Sequence, residues 1–199
     1  MTPFIALDAV ALPIDRPNVD TDQIIPARYL SRNRALGLAE CLFHDVRFTA
    51  DGAERPEFPL NQDPFRPAQI VVGAKNFGCG SSRENAVWAF YDYGFRAAIA
   101  PSFGDIFRNN CIKNGMLPVV LPGEVVEGLL AQLRADPGAR VQIDLPSQTV
   151  VLPDGSTHGF EIDPFAKHCL LNGVDEIGFT LGQVDEIVAF ENRYGRENI

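Results

Sequence analysis

No stretch of this chain approaches the roughly 20 consecutive apolar residues that a membrane-spanning helix needs. The opening Met1-Thr2-Pro3-Phe4 carries neither the basic residues nor the apolar run of a secretory leader. A place in the cytoplasm, with no membrane attachment, is therefore expected. Basic residues are in short supply: 17 Lys and Arg stand against 26 Asp and Glu, for a formal net charge of -9. That excludes the broad basic footprint of a nucleic-acid binder but leaves room for a few placed arginines to hold a small anion. The four cysteines, Cys41, Cys79, Cys111 and Cys169, form no C-x-x-C pair, and His44, His158 and His168 show no ligand spacing. Hence this chain alone offers neither a zinc site nor an iron–sulfur site, metal ligands being none. Its thiols are expected to be reduced and mostly buried. A Walker loop, a full G-x-G-x-x-G fingerprint and a strand–G-x-S-x-G–helix elbow are missing too. So are internal repeats.

What remains is 199 residues, 46% hydrophobic, enough for one domain spanning 1–199 with a sizeable core. A short apolar strand is expected near Phe4-Ile5-Ala6-Leu7. Asn18-Val19-Asp20-Thr21-Asp22 has turn and helix-cap chemistry. Residues 31–66 are the least regular part, rich in Gly, Pro and Arg, and read as a long connection, mobile around Ser31–Glu40. Beyond them the pattern sharpens. Gln69–Ala74, Ala97–Ala100 and Leu117–Leu121 read as buried strands. Helices are expected through Ala86–Tyr91, Phe103–Asn114 and Glu124–Arg134. Val141–Leu145 and Thr149–Leu152 form a hairpin, and Pro153-Asp154-Gly155 turns into a further strand. Asp163-Pro164 starts a helix that Gly173 ends; a last helix covers Gln183–Tyr194. The fold class is α/β: a mixed sheet, parallel within 69–134 and antiparallel afterwards, with flanking helices.

The segment Gly78-Cys79-Gly80-Ser81-Ser82-Arg83-Glu84 joins a strand to a helix. Its glycines allow tight turning and close approach to a ligand. A helix start presents unpaired N–H groups and a positive dipole end, which suits a carboxylate or phosphate, and Arg83 adds a forked cation. The same residues fit a capping box, with Ser81 and Glu84 satisfying each other's backbone donors. The two readings coexist, since Ser82 can cap while Ser81 faces a ligand. Asp20-Thr21-Asp22 with Arg28 reads either as an Asx turn beside a surface arginine or as a polar site, in which a carboxylate orients a proton carrier and Arg28 fixes a substrate carboxylate. Arg108 and Lys113 read as solvated; Trp88, Phe90, Tyr91 and Tyr93 read as core.

Taken in order, Asn18–Pro26, Gly78–Glu84, Ala100-Pro101-Ser102-Phe103-Gly104-Asp105-Ile106-Phe107 and His168-Cys169-Leu170-Leu171-Asn172-Gly173 resemble the small-subunit family of 3-isopropylmalate dehydratase (isopropylmalate isomerase), over roughly residues 5–190. The resemblance implies the swivelling β/β/α domain of the aconitase superfamily. It also implies a lyase reaction of leucine biosynthesis, in which 2-isopropylmalate and 3-isopropylmalate interconvert through isopropylmaleate. It further implies a heterodimer with a large subunit that carries a [4Fe-4S] cluster, the small subunit being inactive alone. By motif, Ser81 and Asp22 are the catalytic candidates. Arg83, Ser82, Gly80, Arg28 and Thr21 are the candidates that bind a small dicarboxylate. Related hydro-lyase subunits acting on homoaconitate, citraconate or a methylated malate share these motifs, and a non-catalytic anion-binding module is the alternative of another class. Specificity is expected to depend on Arg28-Tyr29-Leu30 and the mobile segment after it, with Leu30, Ile24 and Ile25 favouring an apolar group. The superfamily usually has His where this chain has Asn85; one turn into the helix, Asn85 is expected to pack.

Overall fold

The computed structural model describes residues 1–80 and 83–197. Its frame is one seven-stranded sheet in the order β4-β3-β2-β1-β5-β6-β7. The strands are β1 (Ala6–Ile14), β2 (Ile70–Gly73), β3 (Ala97–Ala100), β4 (Leu117–Val120), β5 (Arg140–Asp144), β6 (Thr149–Val151) and β7 (Thr157–Gly159). β1 to β4 run parallel, whereas β5 lies antiparallel on the other side of β1, and β6 and β7 continue as a meander. The expected mixed α/β sheet is therefore present. β1 is longer than the expected Phe4–Leu7 and starts later, because Ala9, Ala11, Leu12 and Ile14 are all buried between two layers.

The parallel strands are apolar on both faces, and their alternation assigns each side chain to a layer. Leu12, Ile14, Val71, Ala98 and Ala100 face one core. Ala9, Ala11, Ile70, Val72, Ala97, Ile99, Leu117 and Val119 face the other. The first core is roofed by α1 (Thr21–Ile24), α2 (His44–Arg47), α3 (Asn85–Tyr93) and α4 (Asp105–Lys113). The second is roofed by α5 (Gly123–Ala135), whose Val126, Leu129, Leu130 and Leu133 are buried. α6 (Pro164–Asn172) starts as its Asp-Pro signal requires: the Asp163 carboxylate accepts from Phe165 N and Ala166 N, and Gly173 ends it in the left-handed region at φ 66°. α7 (Glu176–Leu181), not foreseen in the sequence, precedes α8 (Val184–Glu197). No helix among the described residues is long and apolar enough to cross a membrane.

Residues 31–66, expected as a long irregular connection, contain short elements. They form a chain of short 3-10 turns at Arg34–Leu36, Ala39–Cys41, Pro59–Asn61 and Asp63–Phe65, with α2 among them. The reason is burial: Leu38, Cys41, Leu42, Phe43, Phe58, Leu60 and Phe65 all enter the first core. Polar contacts fix the same segment. Asp92 on α3 accepts from Leu38 N at 2.8 Å and from Arg34. Arg47, only 5% exposed, donates to Asn61 Oδ1 at 3.1 Å and lies over the rings of Phe48 and Tyr93. Burial without a carboxylate partner at hydrogen-bond distance lowers the pKa of Arg47, and neutral acceptors hold the guanidinium instead. Leu38→Ala should therefore lower stability by about 2–5 kcal/mol in denaturant unfolding; a loss below about 0.5 kcal/mol would show that this segment is only loosely docked.

Candidate functional site

The backbone ladder of the parallel strands does not stop at their carboxyl ends. Val19 O, downstream of β1, accepts from Gly78 N at 2.8 Å and Cys79 N at 3.2 Å, and Thr21 N donates to Cys79 O at 2.9 Å. On the other side, Phe77 N donates to Ser102 O at 3.0 Å and Gly104 N to Phe77 O at 2.9 Å. The segments after β1, β2 and β3 are thus sewn side by side. Their meeting place lies beyond the carboxyl ends of parallel strands, where open α/β sheets bind ligands.

Close approach dictates the glycines. A Cβ on Gly104 would lie 2.6 Å from Gly78 O, and one on Gly78 would lie 2.2 Å from the Phe107 ring. Gly78 and Gly80 also have φ of 71° and 89°, in the left-handed region. Just before them the chain drives Phe77 into the core, edge-on to Phe107 at 5.8 Å and Phe103 at 6.4 Å. At the entrance, Asn76 donates from its backbone to Ser102 Oγ and from its side chain to Asn18 Oδ1.

The expected helix start is displaced. α3 begins at Asn85 with Glu84 before it, and Glu84 makes no capping bond. Its carboxylate instead accepts from Asn114 Nδ2 at 2.9 Å, while Asn114 Oδ1 accepts from Trp88 Nε1 at 2.9 Å. So Glu84 binds the end of α4; the capping box expected with Ser81 falls outside the described residues. Asn85 is the first helical residue, half-buried, not one turn in. Ser81 and Ser82 lie outside the described residues.

Asp20 caps α1, its carboxylate accepting from Gln23 N at 2.7 Å. This sets Thr21 inward, 3% exposed, and Asp22 outward. Across the gap Arg83 Nη1 donates to Asp22 Oδ1 at 3.2 Å. Asp22, Arg83, Thr21 and Gly80, spread over more than sixty residues of sequence, are thus gathered at one edge. Arg28 is held differently. Both of its terminal nitrogens donate to the Asp45 carboxylate, Nη1 at 2.8 Å, and Nη2 also lies 3.2 Å from His44 Nδ1. The guanidinium stacks on Tyr29 at 4.7 Å. Asp45 and His44 were not foreseen as part of this region; seventeen residues separate Asp45 from Arg28, and no short-range pattern joins them. Ile24 and Ile25 are fully buried core residues and Leu30 packs on the same core, so the expected role of the isoleucines beside a substrate gives way to packing.

Cys41, Cys111 and Cys169 are buried and Cys79 is half-buried, all as free thiols. Among the described residues no three His, Cys, Asp or Glu side chains converge as a metal site would require. Arg108 is half-buried, with its Nε enclosed and without a hydrogen-bond partner among the described residues, and is not the solvated side chain expected. Lys113 is exposed, 3.9 Å from Glu176.

Comparison with known proteins gives this edge a context. The model of the aconitase C-terminal domain matches residues 1–124, and a second model, LeuD_N, matches residues 127–164. The 3-isopropylmalate dehydratase small subunits of Paramagnetospirillum magneticum and Leptospira interrogans are 52% and 51% identical, over 96% and 97% of this chain and 95% of each relative. The crystal structure of 3-isopropylmalate dehydratase from Methanocaldococcus jannaschii superposes with a TM-score of 0.68 at 26% identity, over 94% of this chain and 99% of that one.

Two outcomes are expected from the geometry. Gly104→Ala has ordinary backbone angles but no space, so it should cost about 1–3 kcal/mol in thermal or denaturant unfolding and weaken amide-exchange protection at Gly78 and Cys79. The hydrogen bonds from Arg28 push the Asp45 carboxyl down to about 2. An NMR titration of the Asp45 carboxyl should show that midpoint, and Arg28→Ala should return it toward the ordinary value near 3.9.

Proposed function

The chain belongs to the family of 3-isopropylmalate dehydratase small subunits, an aconitase-type hydro-lyase family, and from that premise we propose that it interconverts 2-isopropylmalate and 3-isopropylmalate through isopropylmaleate as one half of a two-subunit enzyme of leucine biosynthesis. The observation that carries the reading is the gathering of Asp22 and Arg83 at the carboxyl edge of the parallel strands, in a chain that aligns with these small subunits almost from end to end.

In this reading the substrate is a small dicarboxylate lodged between the edge and the large subunit. Arg83 and Arg28 take its carboxylates by charge-assisted hydrogen bonds, with Gly80, Ser82 and Thr21 lining the approach. Ser81 removes a proton from the carbon next to a carboxylate, and the hydroxyl leaves from the neighbouring carbon, so that water is lost across the bond; readdition with the positions reversed gives the isomer. Negative charge builds on the carboxylate as the proton leaves, and Arg83 is placed to stabilise it. Asp22, through its contact with Arg83, fixes the orientation of that guanidinium. In this reading the large subunit holds the [4Fe-4S] cluster, which would supply Lewis-acid assistance to the departing hydroxyl. The complex is cytoplasmic, and this chain acts as its swivelling part.

The test is reconstitution with the large subunit of the same organism, followed by assay on 2- and 3-isopropylmalate, homoaconitate and citraconate. The isolated chain should show no dehydratase turnover, and the complex should prefer the isopropylmalates; full activity of the isolated chain refutes the reading. Ser81→Ala should reduce kcat by at least about 10²-fold with assembly intact, and near-normal turnover would leave Ser81 a structural serine.

A further inference from the structure

Arginine offers five N–H donors arranged on two usable edges for a carboxylate, one formed by the two terminal nitrogens and one by Nε with Nη2. In Arg28 the first edge is filled by Asp45, which accepts from both Nη1 and Nη2. The second edge is crowded at Nη2, where His44 Nδ1 lies 3.2 Å away and is equally close to Asp45 Oδ1. A second carboxylate therefore cannot take the end of the guanidinium while Asp45 stays there. The charge is compensated as well, because Asp45 sits against it as a full anion. Both partners of this pair are about half exposed, so water and an incoming anion can reach it.

We infer that Asp45 is an internal stand-in for a substrate carboxylate, holding Arg28 in the free site and giving it up when substrate binds. This inference rests on the reading of Arg28 as a substrate-binding residue. The exchange has somewhere to put the displaced group. Asp45 lines a pocket of about 460 Å³ whose wall also carries Arg16 and Arg55, with Val19, Phe43 and Phe58 among its apolar sides. The same wall carries Arg134 and the carboxylates of Asp15 and Glu57, so an Asp45 side chain turned away from Arg28 meets three cations against two anions. His44, 3.2 Å from both Arg28 Nη2 and Asp45 Oδ1, stays beside the freed guanidinium, and Tyr29 keeps its plane in place. Asp45 thus touches no substrate; it acts through Arg28, by setting how much substrate is needed to open the pair.

Exposed ion pairs are weak, so the exchange costs little and the expected effect is small but directional. In the reconstituted complex, Asp45→Asn should lower the KM for 3-isopropylmalate by about two- to fivefold, with kcat within about twofold. Asp45→Glu, which retains the competing carboxylate, should stay near the parent KM. Arg28→Ala should raise KM at least about tenfold, and adding Asp45→Asn to Arg28→Ala should change nothing further. Thermal melts of each variant separate loss of folding from loss of binding. An unchanged or raised KM for Asp45→Asn, beside a raised KM for Arg28→Ala, overturns the exchange while leaving Arg28 as a substrate ligand. An unchanged KM for Arg28→Ala removes the underlying reading of Arg28, and the exchange with it.

Discussion

Everything at the candidate site depends on backbone hydrogen bonds that continue past the ends of three parallel strands. Val19 O holds Gly78 N and Cys79 N, and Phe77 is held on its other side by Ser102 O and Gly104 N. These bonds bring three pieces of chain closer than side chains normally allow, which is why Gly78 and Gly104 carry none: each Cβ would fall inside the van der Waals shell of a neighbour. Phe77, forced inward by the same path, joins Phe103 and Phe107 in the first core. The polar edge and the apolar core are two sides of one short stretch of backbone. Thr21, Asp22, Gly80 and Arg83 have the places they do because this stretch has only one way to run.

Much of this was legible in the sequence, and the reasons are local. Buried parallel strands are uniformly apolar, so Ile70–Gly73, Ala97–Ala100 and Leu117–Val120 announced themselves. Asp163-Pro164 and Gly173 named both ends of a helix through chemistry confined to single residues. The cap at Asp20 was legible from Asx chemistry alone, whereas Asp22 and Arg83 were named separately as site candidates and their contact was not foreseen. What stayed hidden depends on distant contacts. Residues 31–66 look irregular because their apolar residues keep no fixed period, yet Leu38, Leu42, Phe43 and Leu60 are fully or almost fully buried. Nothing within four residues of Glu84 reveals that its carboxylate accepts from Asn114, thirty positions on. The partner of Arg28 was equally invisible, since Asp45 reaches it only because α2 folds back beside that arginine.

The arginines of this acidic chain show how placement outweighs total charge. Arg47 is buried against the Leu42 carbonyl, the Asn61 amide and two aromatic rings. Arg83 and Arg28 stand at the surface, each against a carboxylate. A net charge of -9 says nothing about the surroundings of these two guanidinium groups, each of which has its own carboxylate partner. Their pairing keeps them oriented and moderates the attraction for stray anions, because an exposed ion pair is easily exchanged for a better one.

β1 has a consequence of another kind. It is the central strand, flanked by β2 on one side and β5 on the other, and its pairing with β5 joins residues as far apart as Ala6 and Asp144, 138 positions along the chain. During synthesis β1 emerges well before β5 and waits with one edge bare while the residues between them are made. Loop closure over such a span is slow, and a bare strand edge invites the wrong neighbour. The parallel half, whose segments arrive in order, can assemble on β1 first; β5 then closes the other edge. The meander β5-β6-β7, remote from the site, serves the chain first as the late piece that ends its most aggregation-prone interval.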